Sequence, residues 1–159
     1  MWKSTFSWHI EDMDLYGANY NHFRAAKIWY IVPPKYVNEM EQLCKEKFSK
    51  YWDCKGMIRH KNFLISPKVL AERNIPCYKN IQEPGDLMIV FPKTFHCGFN
   101  AGLNGCEEVN FATKNWKFSV SLSFSILDYF ERSWFNHYRV QGGDRLSKSG
   151  KFLNKFFEN

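Results

Sequence analysis

Three stretches near the start of the chain mix apolar and polar residues at short range with an aromatic bias: residues 4–10 (STFSWHI), 18–23 (ANYNHF) and 27–32 (KIWYIV). Aromatic and β-branched side chains lose rotamer freedom in a helix and pack well on a pleated surface, so these stretches predict strands. The period then changes: from Pro34 onward, Val37, Met40, Leu43, Cys44 and Phe48 fall on one face of a 3.6-residue repeat. This predicts a helix opened by proline, whose missing N–H costs nothing there. Ser66 followed by Pro67 has the form of an N-cap and a first helical residue, predicting a short second helix that ends near Asn74. Pro84 and Gly85 mark a turn, the run Leu87 to Phe91 predicts a buried strand, and 107–116 (EEVNFATKNW) a further one. From Lys117 onward the chain is rich in Ser and Phe without a period, so 117–159 is an unassigned tail. Strands surrounding a short helical insert predict an α+β domain, mainly β, with a largely antiparallel sheet.

Composition narrows this picture only a little. With 159 residues, 45% of them hydrophobic and 18% aromatic, the chain has material for one domain with a true core. No apolar run is long enough to span a bilayer and the first ten residues lack the order of a secretory signal, so an intracellular protein is expected. Five cysteines (Cys44, Cys54, Cys77, Cys97 and Cys106) at irregular spacing fit reduced, buried thiols or metal ligands better than disulfides. The net charge of +6 is spread along the chain, which suits a solvated surface better than a nucleic-acid interface.

Chemistry enters with residues 7–23 (SWHIEDMDLYGANYNHF), where His9, Glu11, Asp12 and Asp14 stand among large apolar residues. Charged groups near a core are costly unless paired or bound to a metal. If residues 5–11 are extended, His9 and Glu11 project from one face and Asp12 lies off it. Two such groups can reach one ion. His96, just beyond the Leu87 to Phe91 strand and the Pro92 break, is the natural third ligand. Two histidines and one carboxylate make the facial triad of non-haem Fe(II) oxygenases.

The same residues carry a family resemblance. Residues 1–34 (MWKSTFSWHIEDMDLYGANYNHFRAAKIWYIVPP) resemble the central part of the JmjC domain of histone lysine demethylases, specifically the JmjN/JmjC trimethyl-lysine group. The likeness continues through RHKNFLISPKVL, IPCYKNIQEPGDLMIVFP, FHCGFNAGLN and NFATKNW, which extends it over 1–116 in one register. It implies a double-stranded β-helix, the cupin-like jelly roll, incomplete here because Met1 aligns with an internal methionine. The JmjN region and the first JmjC strands, with tyrosines of the co-substrate and methyl-lysine sites, would then precede it.

The resemblance implies an enzyme that binds Fe(II) through His9, Glu11 and His96 and uses 2-oxoglutarate as co-substrate. Lys27 aligns with the lysine that pairs with the distal carboxylate of 2-oxoglutarate, and Asn19 with an amide that hydrogen-bonds the same molecule. Lys61 aligns with a lysine associated with oxygen and substrate handling. The implied reaction is oxidative decarboxylation to succinate and CO₂, coupled to hydroxylation of an N-methyl group and release of formaldehyde. Its substrate would be a methylated lysine of the histone H3 tail, in nuclear chromatin, with no membrane and no sequence-specific nucleic acid involved. A JmjC protein hydroxylase and a non-catalytic chromatin-binding fragment are the alternatives.

Two departures from the family pattern matter. Glu108 and Val109 stand where small hydroxyl residues commonly tune the methyl pocket. Cys54 and His60 match half of a structural zinc site, but no cysteine follows Cys106, and structural zinc takes four ligands.

Overall fold

The protein is described by a computed structural model, in which residues 4–51, 60–113 and 116 are defined. In chain order these form β1 (Thr5–His9), β2 (Tyr16–Arg24), β3 (Lys27–Val32), α1 (Val37–Lys47), α2 (Pro67–Glu72), β4 (Tyr78–Gln82), β5 (Leu87–Val90), β6 (Phe95–Asn100) and β7 (Asn104–Phe111). A four-stranded sheet has the order β1-β6-β3-β4 and a three-stranded sheet the order β5-β2-β7. Every pairing is antiparallel. This is the cupin-like jelly roll expected from the sequence, with a small helical insert between β3 and β4. The tail 117–159 lies outside the described residues.

The apolar core lies where α1 and α2 cover one face of the four-stranded sheet. Trp8 and Ile10, Val32, Phe95 and Cys97 come from the sheet side. Met40, Leu43, Cys44 and Leu70 come from the helices, and Phe63, Ile65 and Ile75 from the flanking segments. The sequence stripe explains α1: Met40, Leu43 and Cys44 are buried, while Val37 and Phe48 are half-buried against the same cluster. Pro34 does not open this helix. It begins a separate 3₁₀ turn, Pro34–Tyr36, and α1 starts at Val37.

The second helix follows its caps. Ser66 accepts a hydrogen bond from the Val69 N–H through its side chain, and Pro67 takes the first helical position. At the other end Ile75 N–H donates to Leu70 O at 2.9 Å and Asn74 N–H to Ala71 O at 3.0 Å. Asn74 has φ 56°, so the end is a Schellman motif in which Leu70 and Ile75 both enter the core.

The strands require three corrections. The run Leu87 to Phe91 is not a buried strand: β5 is an edge strand, with Leu87 61% exposed and Phe91, beyond its end, 59% exposed. An unbroken apolar run marks a strand covered on both faces only where a second layer lies against it, and β5 has none among the described residues. β6 was not foreseen, because Gly98 in its middle has the character of a strand breaker. Here the glycine is a packing requirement: a Cβ at position 98 would stand 2.0 Å from Ile28 O and 2.7 Å from the Phe6 ring. Last, β7 starts at Asn104 and ends at Phe111, well before Trp116, whose indole instead donates to Asp14 O at 3.0 Å.

Candidate metal centre

β1 pairs with β6 through Phe6↔Gly98 and His9↔His96, with two residues (Ser7 and Trp8) between the pairs on one strand against one (Cys97) on the other. The extra residue is a β-bulge. It lets Phe6 and His9 share the inner face although they are three positions apart, while Trp8 turns to the core and donates its indole N–H to Ile65 O at 2.9 Å. His9 and His96 stand directly opposite one another with ring centroids 4.2 Å apart. β1 itself ends at His9, short of the 5–11 span considered from the sequence. Glu11 remains extended (φ −63°, ψ 146°), so it still shares the face of His9, and Asp12 sits exposed in the turn that follows.

The ligand atoms of His9, Glu11 and His96 lie within 4.8 Å of one another, and all three residues are buried. His9 Nδ1 is 2.7 Å from Ser7 O and His96 Nδ1 is 3.0 Å from Thr94 O. A backbone carbonyl can only accept, so each Nδ1 carries a proton and each ring turns its Nε2 inward. His96 Nε2 is 3.3 Å from Glu11 Oε1, a contact that a shared proton or a metal cation stabilises. Burial, and then the neighbouring His96 ring, hold His9 down to about 4, so it stays a neutral ligand at physiological pH. For Glu11 burial raises the pKa, but the contact with His96 and then the hydrogen bond from Asn110 outweigh it and bring the carboxyl to about 2. Two imidazoles and one carboxylate, held by backbone carbonyls and an amide, suit a divalent transition metal.

Two supporting residues were missed in the sequence. Asn110 Nδ2 donates to Glu11 Oε2 at 2.9 Å, and its motif, NFATKNW, carried no assigned role. Gly17 lies under the same carboxylate: a Cβ there would stand 2.8 Å from Glu11 Oε1. Gly17 and Asn110 are partners across the β2–β7 ladder, so one rung of the three-stranded sheet holds the carboxylate that the other sheet supplies.

The remaining sequence candidates fall as follows. Lys27 is half-buried rather than buried, with Nζ 4.5 Å from the Phe6 ring centroid and 3.4 Å from Asn100 Oδ1. Phe6 also faces both histidines at 6.3 Å, so Lys27 shares an aromatic wall with the triad. Asn19 is buried on β2 and donates to Glu108 Oε2 at 3.0 Å. Lys61 is exposed with φ 54°, and its charge contributes to lowering the His9 pKa, which puts it within electrostatic reach. His60 is exposed, and Cys54 lies outside the described residues. Of the other cysteines, Cys44 and Cys97 are buried, but Cys77 and Cys106 are only half-buried, contrary to expectation.

A jelly roll that aims two imidazoles and a carboxylate into its interior belongs to the class of metal-dependent hydroxylases. The chain is a member of the JmjC family: the family model described as "JmjC domain, hydroxylase" matches residues 1–111. It is 50% identical over 117 residues to a probable lysine-specific demethylase 4F of Homo sapiens, covering 73% of this chain and 18% of that protein. It is equally identical over 117 residues to lysine-specific demethylase 4D of Rattus norvegicus, and 47% identical to lysine-specific demethylase 4B of Mus musculus. The chain spans 23% and 11% of those two proteins, so it matches a minor part of each relative's length.

Proposed function

We propose that the chain carries the iron- and 2-oxoglutarate-binding part of a lysine demethylase that acts on methylated histone H3 tails in the nucleus. The observation that carries this reading is the buried, mutually facing set of His9, Glu11 and His96 in a JmjC chain about half identical to named lysine demethylases. His9, Glu11 and His96 would hold the ion, which supplies activation of O₂ when bound. Ser7 and Thr94 carbonyls fix the two imidazole tautomers, and Asn110 orients the carboxylate. Lys27, held over Phe6, provides the cation for a carboxylate of the co-substrate, and Asn19 lines the same interior from the facing sheet. Lys61 adds positive charge near His9.

The test is anaerobic titration of the chain with Fe(II) and 2-oxoglutarate, followed by the visible metal-to-ligand charge-transfer band. A band that disappears in His9→Ala is expected, followed by formaldehyde release from a trimethylated H3 peptide when air is admitted. A folded chain without the band overturns the reading.

A further inference from the structure

Two buried side-chain amides lace the sheets together. Asn21 on β2 is 0% exposed and Gln82 on β4 is 1% exposed. Asn21 Nδ2 donates to Gln82 O at 3.3 Å and to Ala25 O at 3.1 Å. Gln82 Nε2 crosses the other way, donating to Asn19 O at 2.8 Å and to Asp86 O at 3.1 Å. A side-chain amide nitrogen carries two N–H groups, and each of these two has two acceptors, which is what lets both amides sit in the interior.

The oxygen of Gln82 faces the site. Its Oε1 accepts the Trp29 indole N–H at 2.9 Å. An indole nitrogen can only donate, so the amide is held with its oxygen toward Trp29 and its nitrogen toward β2. Gln82 is the ladder partner of Lys27, and Trp29 lies two residues along β3 on the same face, so the bond runs diagonally past Lys27. Held there, the Trp29 ring centroid is 5.1 Å from that of Phe6, 5.8 Å from that of His96 and 5.4 Å from Lys27 Nζ. An ammonium within about 6 Å of an aromatic centroid is drawn to the ring, so the placing of the ring helps to place the cation.

We propose that Gln82 is a positioning residue: through the Trp29 indole it holds the Lys27 ammonium where a carboxylate of the co-substrate is to meet it. This rests on the reading given under Proposed function. Gln82 acts indirectly, because its side-chain bonds go to Trp29, Asn19 O and Asp86 O. A glutamine that merely braced the two sheets would affect stability and leave Lys27 where it is.

The experiment compares the full chain as parent, Gln82→Met, Trp29→Phe and the double variant. Methionine keeps the unbranched shape of glutamine and removes the amide. Two quantities are read: affinity for 2-oxoglutarate by isothermal titration in the presence of Ni(II), and the Lys27 ε-methylene resonance of the ligand-free protein, which the currents of the two aromatic rings displace. Each single variant is expected to move that resonance and to bind about tenfold more weakly, with the double variant no weaker than the weaker single one. Losses that multiply in the double variant mean that Gln82 acts apart from Trp29 and overturn the proposal. So does an unmoved Lys27 resonance, or measurable but unchanged affinity, in Gln82→Met. Should Gln82→Met not fold, Trp29→Phe decides, since it keeps an aromatic face and loses only the N–H and ring size: parent affinity there overturns the proposal. Absence of 2-oxoglutarate binding in the parent sinks the co-substrate reading itself, and the Lys27 resonance alone then decides whether Gln82 positions the ammonium.

Discussion

Leu43 and Leu87 are the same side chain in opposite circumstances. Leu43, on α1, is 2% exposed within the cluster that closes one face of the four-stranded sheet. Leu87, on the edge strand of the three-stranded sheet, is 61% exposed, and Tyr20 on the adjacent β2 and Val109 on β7 beyond it are exposed as well. The inner faces differ as well. The four-stranded sheet supplies His9, His96, Phe6 and Lys27, whereas the three-stranded sheet supplies Gly17, Asn19, Glu108 and Asn110. One sheet is built on buried apolar area and lends its inner face to the ligands. The other contributes little core among the described residues and mainly orients what the first provides.

That division can be broken by experiment, starting with the largest effect. His96→Ala removes a ligand from the four-stranded sheet and is expected to abolish the Fe(II)/2-oxoglutarate absorption band, while circular dichroism retains its β signature. A band of undiminished strength would remove His96 from the centre. Leu43→Ala is expected to cost about 2–5 kcal/mol in urea unfolding, because the helices cannot collapse into the cavity, whereas Leu87→Ala stays within about 0.5 kcal/mol. Equal losses would show that the two sheets share stability evenly. Asn110→Ala, on the orienting sheet, is expected to weaken divalent-metal affinity by roughly 10–100-fold with an unchanged urea midpoint, the pattern of a residue that positions a ligand. A shifted midpoint with unaltered metal affinity would reverse its role.

The smallest effect concerns thiols. Burial pushes Cys44 and Cys97 up to about 12 from 9.0, while half-buried Cys77 and Cys106 are raised mainly by the same cause to a lesser burial. A raised thiol pKa favours the folded state while the thiol is protonated. That contribution is intact below pH about 9 and is lost as pH climbs toward 12. Iodoacetamide labelling at pH 8, read by mass spectrometry, should therefore modify Cys106 well before Cys44 or Cys97. Early labelling of Cys44 would mean that the helix-covered face opens readily.

What could be read from the sequence did not divide along the two sheets. The α1 stripe, the Ser66 cap and the strands at 4–10 and 27–32 follow from periodicity and capping, because each is decided by neighbours in the chain. β5 was misread as buried because an apolar run cannot tell whether a second layer will cover it. β6 was missed because Gly98 answers to Ile28 and Phe6, 70 or more residues away in sequence. For the site, residue chemistry and family resemblance named the triad, Asn19 and Lys27. They could not name Asn110, whose role depends on the Gly17↔Asn110 register, nor the Asn19–Glu108 bond, which depends on the same ladder.

The bulge between Phe6 and His9 has a consequence for how this chain tolerates change. Its single additional residue is absorbed locally, so deleting Ser7 would leave Phe6 and His9 two apart, on one face of a regular strand opposite Gly98 and His96, with Trp8 still turned to the core. What that deletion removes is the Ser7 carbonyl that holds the His9 ring nitrogen, so its cost falls on the orientation of one metal ligand rather than on the aromatic wall.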